Sequence, residues 1–217
     1  MNRSTWLVTA AITASTAVLL TACGSSGGGD SSASDKIKGA DGSSGKASAS
    51  ASASAAPGGV KRPQVAFPKD FQANFEGWTN SDPKLQAIMN DGAEQLKSEY
   101  AAIIDAQPDS GGVAFYNSGG SLASAKKWIK SYVATDDSLV GKVRVYAPQV
   151  HINSTGSGVL FYCVDEGKAY TKNRKTNKVT GTPDGVSPTL QYRTLLDRTA
   201  QGVWKTISLE TVRGACG

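Results

Sequence analysis

From Gly24 to Gly59 the chain holds almost nothing that can be buried. Ser, Ala and Gly dominate, Asp and Lys are scattered among them, and Ile37 is the one large aliphatic residue. The near-repeat ASASASASAA occupies 47–56 and Pro57-Gly58-Gly59 closes the stretch. So little apolar surface cannot offset the entropy lost on ordering a backbone, so the segment reads as a disordered tether. As a flexible coil it spans roughly 35 Å r.m.s.. Folding is thereby confined to residues 60–217, a length that suits one domain with a real hydrophobic core.

What precedes the tether explains why it is there. Arg3 is the only early charge, and Trp6 to Ala22 runs apolar or small without another. A stable membrane span wants roughly 20 mostly apolar residues, and Thr9, Thr13, Ser15 and Thr16 dilute this run. It reads as a secretory signal, with a transmembrane anchor as the alternative. Its end, Leu20-Thr21-Ala22-Cys23, resembles the bacterial lipobox, with a branched residue at −3, a small one at −1 and Cys at +1. That resemblance implies removal of residues 1–22, a diacylglycerol thioether on Cys23 with a palmitate-type modification, and anchoring to the outer face of the cell membrane. Ordinary signal cleavage leaving a free Cys23 is the other reading. The expected divisions are a signal peptide over 1–22, a lipidated N-terminus and linker over 23–59, and an α+β domain over 60–217.

Cysteine arithmetic agrees. Three Cys in an exported chain leave one to be explained, and lipidation accounts for Cys23. Cys163 and Cys216 remain, in a compartment where a disulfide persists, and are expected to bridge neighbouring strands. No metal site is expected, since His151 is the only histidine and zinc needs three or four clustered ligands. No C-x-x-C pair suggests redox work.

Within the domain, Asp82 is a natural N-cap and Pro83 fits a first helical turn. Leu85, Ile88, Met89, Leu96, Tyr100, Ile103 and Ile104 follow at helical spacing, with Gly92 and Ala93 in the same stripe, up to Pro108. A second helix is expected over 121–134, with Leu122, Ala125 and Ile129 on one face and Lys126, Lys127 and Lys130 away from it. Gly111-Gly112 and Gly119-Gly120 read as ordinary turns. Strands come afterwards: one through Val143 and Ile152 bent at Pro148, the dense run GVLFYCVDEG, a return strand or basic loop over 168–179, and a hairpin over 189–213 turning near Thr199 to Gly202. Helices first and antiparallel strands later make the fold α+β, with helices on one face of a strongly curved sheet.

That order resembles the cystatin-like cone of nuclear transport factor 2-like domains. YCVDEGKAYTKNRKTNKV from Tyr162, GVW at 202–204 and Cys216 are similar to spacings in actinobacterial lipoproteins carrying this domain. Asn177 stands where that pattern has a turn Gly, and Glu166-Gly167 departs from its usual polar pair. The resemblance implies a cavity, and Tyr162, Tyr192, Trp78 and Trp204 are its candidate lining. It also implies two alternative functions: isomerase or dehydratase chemistry on a carboxylate or His base, and association through the sheet face, including as a homodimer.

No catalytic constellation stands out. Asp165-Glu166 reads as a solvated hairpin tip, and His151 as an ordinary surface or core histidine. Phe71, Phe75 and Trp78 are expected to pack against the domain. Lys168, Lys172, Arg174, Lys175 and Lys178 form the one basic run that suits an anionic surface such as lipid headgroups or wall polymers, the alternative being a solvated hairpin. A net charge of +5 is moderate, and nucleic acid is not an expected partner of an exported chain. The sequence thus points to a membrane-anchored, extracytoplasmic, non-catalytic lipoprotein. It would need no cofactor, and would bind a small ligand, an envelope component or a partner protein.

Overall fold

A computed structural model describes residues 59–216, and the expected signal peptide, Cys23 and the expected tether up to residue 58 fall outside the described residues. After an extended N-terminal segment come β1 (Phe71–Phe75), α1 (Pro83–Ile104), α2 (Gly111–Tyr116) and α3 (Gly119–Ala134). Five further strands follow: β2 (Asp137–Ile152), β3 (Gly158–Asn173), β4 (Val179–Thr180), β5 (Thr189–Arg198) and β6 (Trp204–Arg213). The fold is α+β, with helices packed on one face of a curved sheet. No described helix is long and apolar enough to cross a membrane.

Helix α1 starts where its cap dictates. The Asp82 carboxylate accepts from the Lys84 amide at 2.7 Å, and Pro83 opens the helix. Its buried stripe carries Ile88, Met89, Leu96, Tyr100 and Ile103. At the other end the Arg174 guanidinium donates to the carbonyls of Ile103 and Ile104, at 2.5 and 3.2 Å, closing two of the orphan acceptors of the last turn. The two Gly pairs read as turns instead begin helices, Gly111 opening α2 and Gly119 opening α3. Gly119 takes φ +55°, which lets the chain reverse between the two.

The sheet order is β1-β2-β3-β5-β6, with β4 paired only to β3. All pairings are antiparallel except one: β1 lies parallel to β2, from Phe71 opposite Gly141 to Phe75 opposite Val145. The aromatic stretch before α1 is thus an edge strand, and Phe71 is buried in the core. Register breaks at Lys142/Arg144, at Tyr146/Gln149 around Pro148, and at Leu195/Leu196. Each extra residue bends its strand and tightens the twist, which curves the sheet around the helices. Val143, Val145, Leu160, Tyr162, Val164, Leu190, Tyr192 and Leu196 alternate inward to meet α1 and α3.

Two boundaries differ from the sequence reading. β3 continues through Lys168 to Asn173 with no turn at Asp165-Glu166, so the return strand shrinks to Val179–Thr180. The pairing of β3 with β2 holds register from Lys142 opposite Lys168 to Asp137 opposite Asn173, and this long partner overrides the local turn propensity of Asp-Glu-Gly. Cys163 and Cys216 are bonded, with Cα atoms 6.0 Å apart. Cys216, however, is not on a strand beside β3. It lies in the tail beyond β6, which crosses back over the start of β5, where the Gly214 amide donates to the Thr189 carbonyl at 2.8 Å.

Candidate functional site

The inward curve of the sheet leaves a cavity of about 370 Å³ between α1, α3 and strands β3, β5 and β6. Helix α3 supplies Ser121, Ala125, Trp128 and Tyr132, and the sheet supplies Glu166, Leu190, Tyr192, Leu209 and Arg213. Glu99 enters from α1. A second hollow of about 240 Å³ adjoins it under the Thr180–Val186 loop. Trp128, Tyr132, Glu166 and Arg213 line both, so the two are chambers of one interior.

Aromatic edges build the walls. Trp128 meets Tyr100 and Tyr132 in edge-on contacts with centroids 6.2 and 5.9 Å apart. Across the cavity Tyr192 stacks on Tyr162 at 4.9 Å, with ring planes 16° apart. The Tyr100 hydroxyl, which belongs to the smaller chamber, is buried without a hydrogen-bond partner. Burial pushes the hydroxyls of Tyr100, Tyr162 and Tyr192 well above the usual phenol range, so all three stay neutral.

Glu99 is the chemical centre of the larger chamber. It is only 3% exposed, and its Oε1 accepts from the Gln95 amide and from Asn117 Nδ2, the latter at 3.1 Å. Asn117 is in turn fixed by the Ser121 hydroxyl at 2.7 Å and by its own bond to the Val113 carbonyl. Both donors fall on Oε1, so no described side chain or amide donates to Oε2. Burial drives the Glu99 carboxyl up to about 7, against the downward pull of Gln95 and Asn117. Near neutrality it is therefore present in both acid and carboxylate forms.

Glu166 faces the same interior from mid-strand, on the side of β3 that also carries Tyr162 and Val164. Its pKa is raised by burial and partly restored by Arg213, whose Nη2 lies 3.4 Å from Oε2. Arg213 also donates to the Ser187 carbonyl at 2.6 Å, so its charge is committed to protein acceptors. Among the described residues no group of three His, Cys, Asp or Glu is placed to hold a metal.

Of the four candidate cavity residues, only Tyr192 is on the cavity wall. Tyr162 stands behind it. Trp78 packs on Tyr162 and Phe75, at 5.3 and 5.0 Å, and Trp204 is buried beneath α1, where its amide donates to Asp91 Oδ2 at 2.8 Å. Asp91 is 1% exposed and also paired with Arg62, which ties the start of the domain to its core. The basic run is likewise divided: Arg174 caps α1, Lys175 pairs with Asp136 at 2.7 Å, and Lys168, Lys172 and Lys178 are spread over β3 and the following turn. His151 is exposed on β2, away from the cavity.

Sequence reasoning missed Glu99 and Glu166. Glu99 was detectable, because it lies three residues after Leu96 and four before Ile103, inside the apolar stripe of α1. Glu166 carried no such sign, since Asp-Glu-Gly is turn chemistry.

No family model matches the chain and no curated protein matches it. Solved structures with a similar layout include the intermembrane space region of the chloroplast protein ARC6, at 10% identity and TM-score 0.46, covering 63% of this chain and 100% of that one. Aln2 from a Streptomyces species is 13% identical with TM-score 0.43, covering 62% and 94%. A ketosteroid isomerase-like protein from Erwinia carotovora atroseptica is 15% identical with TM-score 0.43, covering 62% and 98%.

Proposed function

We propose that the domain is a binding module, held at the outer face of the cell membrane by a lipid on Cys23, whose cavity takes a small and largely apolar ligand. The observation that carries this is the 370 Å³ chamber itself, walled by Trp128, Tyr132, Tyr192 and Leu190, with Glu99, Ser121, Glu166 and Arg213 as the polar groups placed to orient a ligand. That size and lining suit a small molecule. The Cys163–Cys216 bond supports an oxidising compartment, and with it the exported location.

The test is calorimetric binding of a neutral aromatic hydrocarbon, neopentylbenzene, to the full chain. Ala125 is 6% exposed on the cavity wall, so Ala125→Trp should fill the chamber and abolish binding. Equal binding to the filled variant, or absence of binding by both this hydrocarbon and its trimethylammonium isostere to the unsubstituted chain, defeats the reading.

One observation favours a catalytic reading beside it. A carboxyl titrating at about 7 inside a cavity has the acid strength a general acid or base needs near neutral pH. Turnover lost in Glu99→Gln with ligand affinity retained would establish it.

A further inference from the structure

We propose that the ligand is an organic cation, an amine or quaternary ammonium carried on an apolar body, whose charge sits between the free oxygen of Glu99 and the rings of Trp128, Tyr132 and Tyr192. This rests on the reading of the chamber as a ligand site and goes beyond it by naming the charge of the occupant.

Three features select a cation. Glu99 is 3% exposed yet has one oxygen without a described donor, in a chamber whose other formal charges, Glu166 and Arg213, are paired with each other. That oxygen opens onto the chamber, and a cation brought in with the ligand supplies it a charged partner inside a largely desolvated space. Trp128, Tyr132 and Tyr192 line the same volume, and a cation near an aromatic face gains from the ring quadrupole, most when desolvated. An anion, by contrast, would meet Glu99 directly and would find Arg213 already engaged by Glu166 and the Ser187 carbonyl.

The titratable groups lining the chamber are Glu99 on α1, Tyr132 on α3, Glu166 on β3, Tyr192 on β5 and Arg213 on β6, with Tyr100 on α1 in the adjoining chamber and Tyr162 on β3 behind Tyr192. Burial keeps these tyrosines neutral, so the pH response comes from the two carboxyls. Glu99 loses its proton as the pH passes about 7. A permanently charged ligand should therefore bind more tightly at pH 8 than at pH 5.

A matched pair tests this on the full chain carrying Cys23→Ser, so that no lipid or detergent competes for apolar molecules. Benzyltrimethylammonium and neopentylbenzene share a shape and differ in charge. The ammonium should bind at least about tenfold tighter at pH 8, lose that advantage at pH 5, and lose it at pH 8 in Glu99→Gln, while neopentylbenzene is unaffected by pH or by the substitution. Equal affinities at pH 8, or tighter binding of phenylacetate than of either, overturn the proposal and leave the ligand site standing. If neither member of the pair binds, the site and the proposal fall together. Should Glu99→Gln unfold, the pH contrast on the parent chain decides alone.

Discussion

Glu99 should cost the fold stability at neutral pH, by an amount its titration sets. In the folded chain its carboxyl rises from the ordinary 4.5 to about 7. Below pH 4.5 the group is protonated whether the chain is folded or not, and burial carries no charge penalty. Between 4.5 and 7 the unfolded chain releases the proton and the folded chain keeps it. Stability therefore falls with rising pH through that window, by up to about 1.4 kcal/mol per unit, and levels off above it. The accumulated penalty is about 3 kcal/mol at pH 8. Glu99→Gln keeps an oxygen for the Gln95 and Asn117 donors and removes the titration. Urea unfolding of both chains from pH 4 to pH 8 should show their stability difference growing by about 3 kcal/mol in favour of Gln, or roughly 6–12 °C in melting temperature at pH 8 for a domain of this size. Taking the difference cancels Asp91 and Glu166, which are also raised. Parallel curves would show that Glu99 is solvated, and the account of the cavity would be wrong.

Other substitutions probe other parts. Arg62→Ala leaves the Asp91 carboxylate, 1% exposed, with only the Trp204 amide, and should cost about 3 kcal/mol, more at pH 8 than at pH 4 because an unpaired buried carboxyl holds its proton. Removing both Cys163 and Cys216 opens a loop of sequence separation 53, and should lower stability by about 4 kcal/mol in urea titrations while leaving the far-UV spectrum folded at low temperature. Gly141→Ala places a Cβ against the Lys168 carbonyl at φ +92°, so it should destabilise the β2–β3 pairing by about 1 kcal/mol or more, the cost of a single strained backbone position, read as a lower melting temperature. Cys23→Ser should abolish a diacylglycerol adduct in the intact mass and release the chain from membranes; an unmodified parent mass at Cys23 refutes anchoring.

The large elements were legible because they are periodic. The stripe from Leu85 to Ile104, the capped start at Asp82 and the β-branched run before Cys163 each repeat one signal many times, and burial follows the repeat. The disulfide was legible by counting alone. β1 was not, since five residues carrying two Phe become a strand only by pairing with β2, some 70 positions away. Helix α2 and the Gly119-Gly120 start of α3 were obscured for a related reason: Gly111 and Gly119 lower helix propensity, and α2 forms because Val113 and Tyr116 are buried against α1 and β6.

The cavity was least legible because its polar residues break the rules that reveal everything else. Gly167 and the Asp165 carboxylate make a local bond at 2.8 Å that belongs to a turn, yet the strand continues through them. Had the chain turned there, Glu166 would face water and Arg213 would keep only the Ser187 carbonyl. Pairing with β2 is kept on either side, Arg144 opposite Asp165 and Lys142 opposite Lys168, so Glu166 and Gly167 form a bulge in which the Glu166 amide donates to the Pro188 carbonyl and the side chain turns inward in line with Tyr162 and Val164. Glu99 makes the same trade on α1, taking a place in the apolar stripe that Leu or Ile would occupy at lower cost. Two carboxylates placed where packing alone would choose hydrocarbon, on elements that meet at one aromatic chamber, are what a site demands and a core does not. If that is their origin, Glu99→Leu should raise stability at pH 8 beyond the gain from Gln while removing the affinity for benzyltrimethylammonium. A variant that loses stability there would mean Glu99 is retained for its bonds to Gln95 and Asn117, and for packing alone.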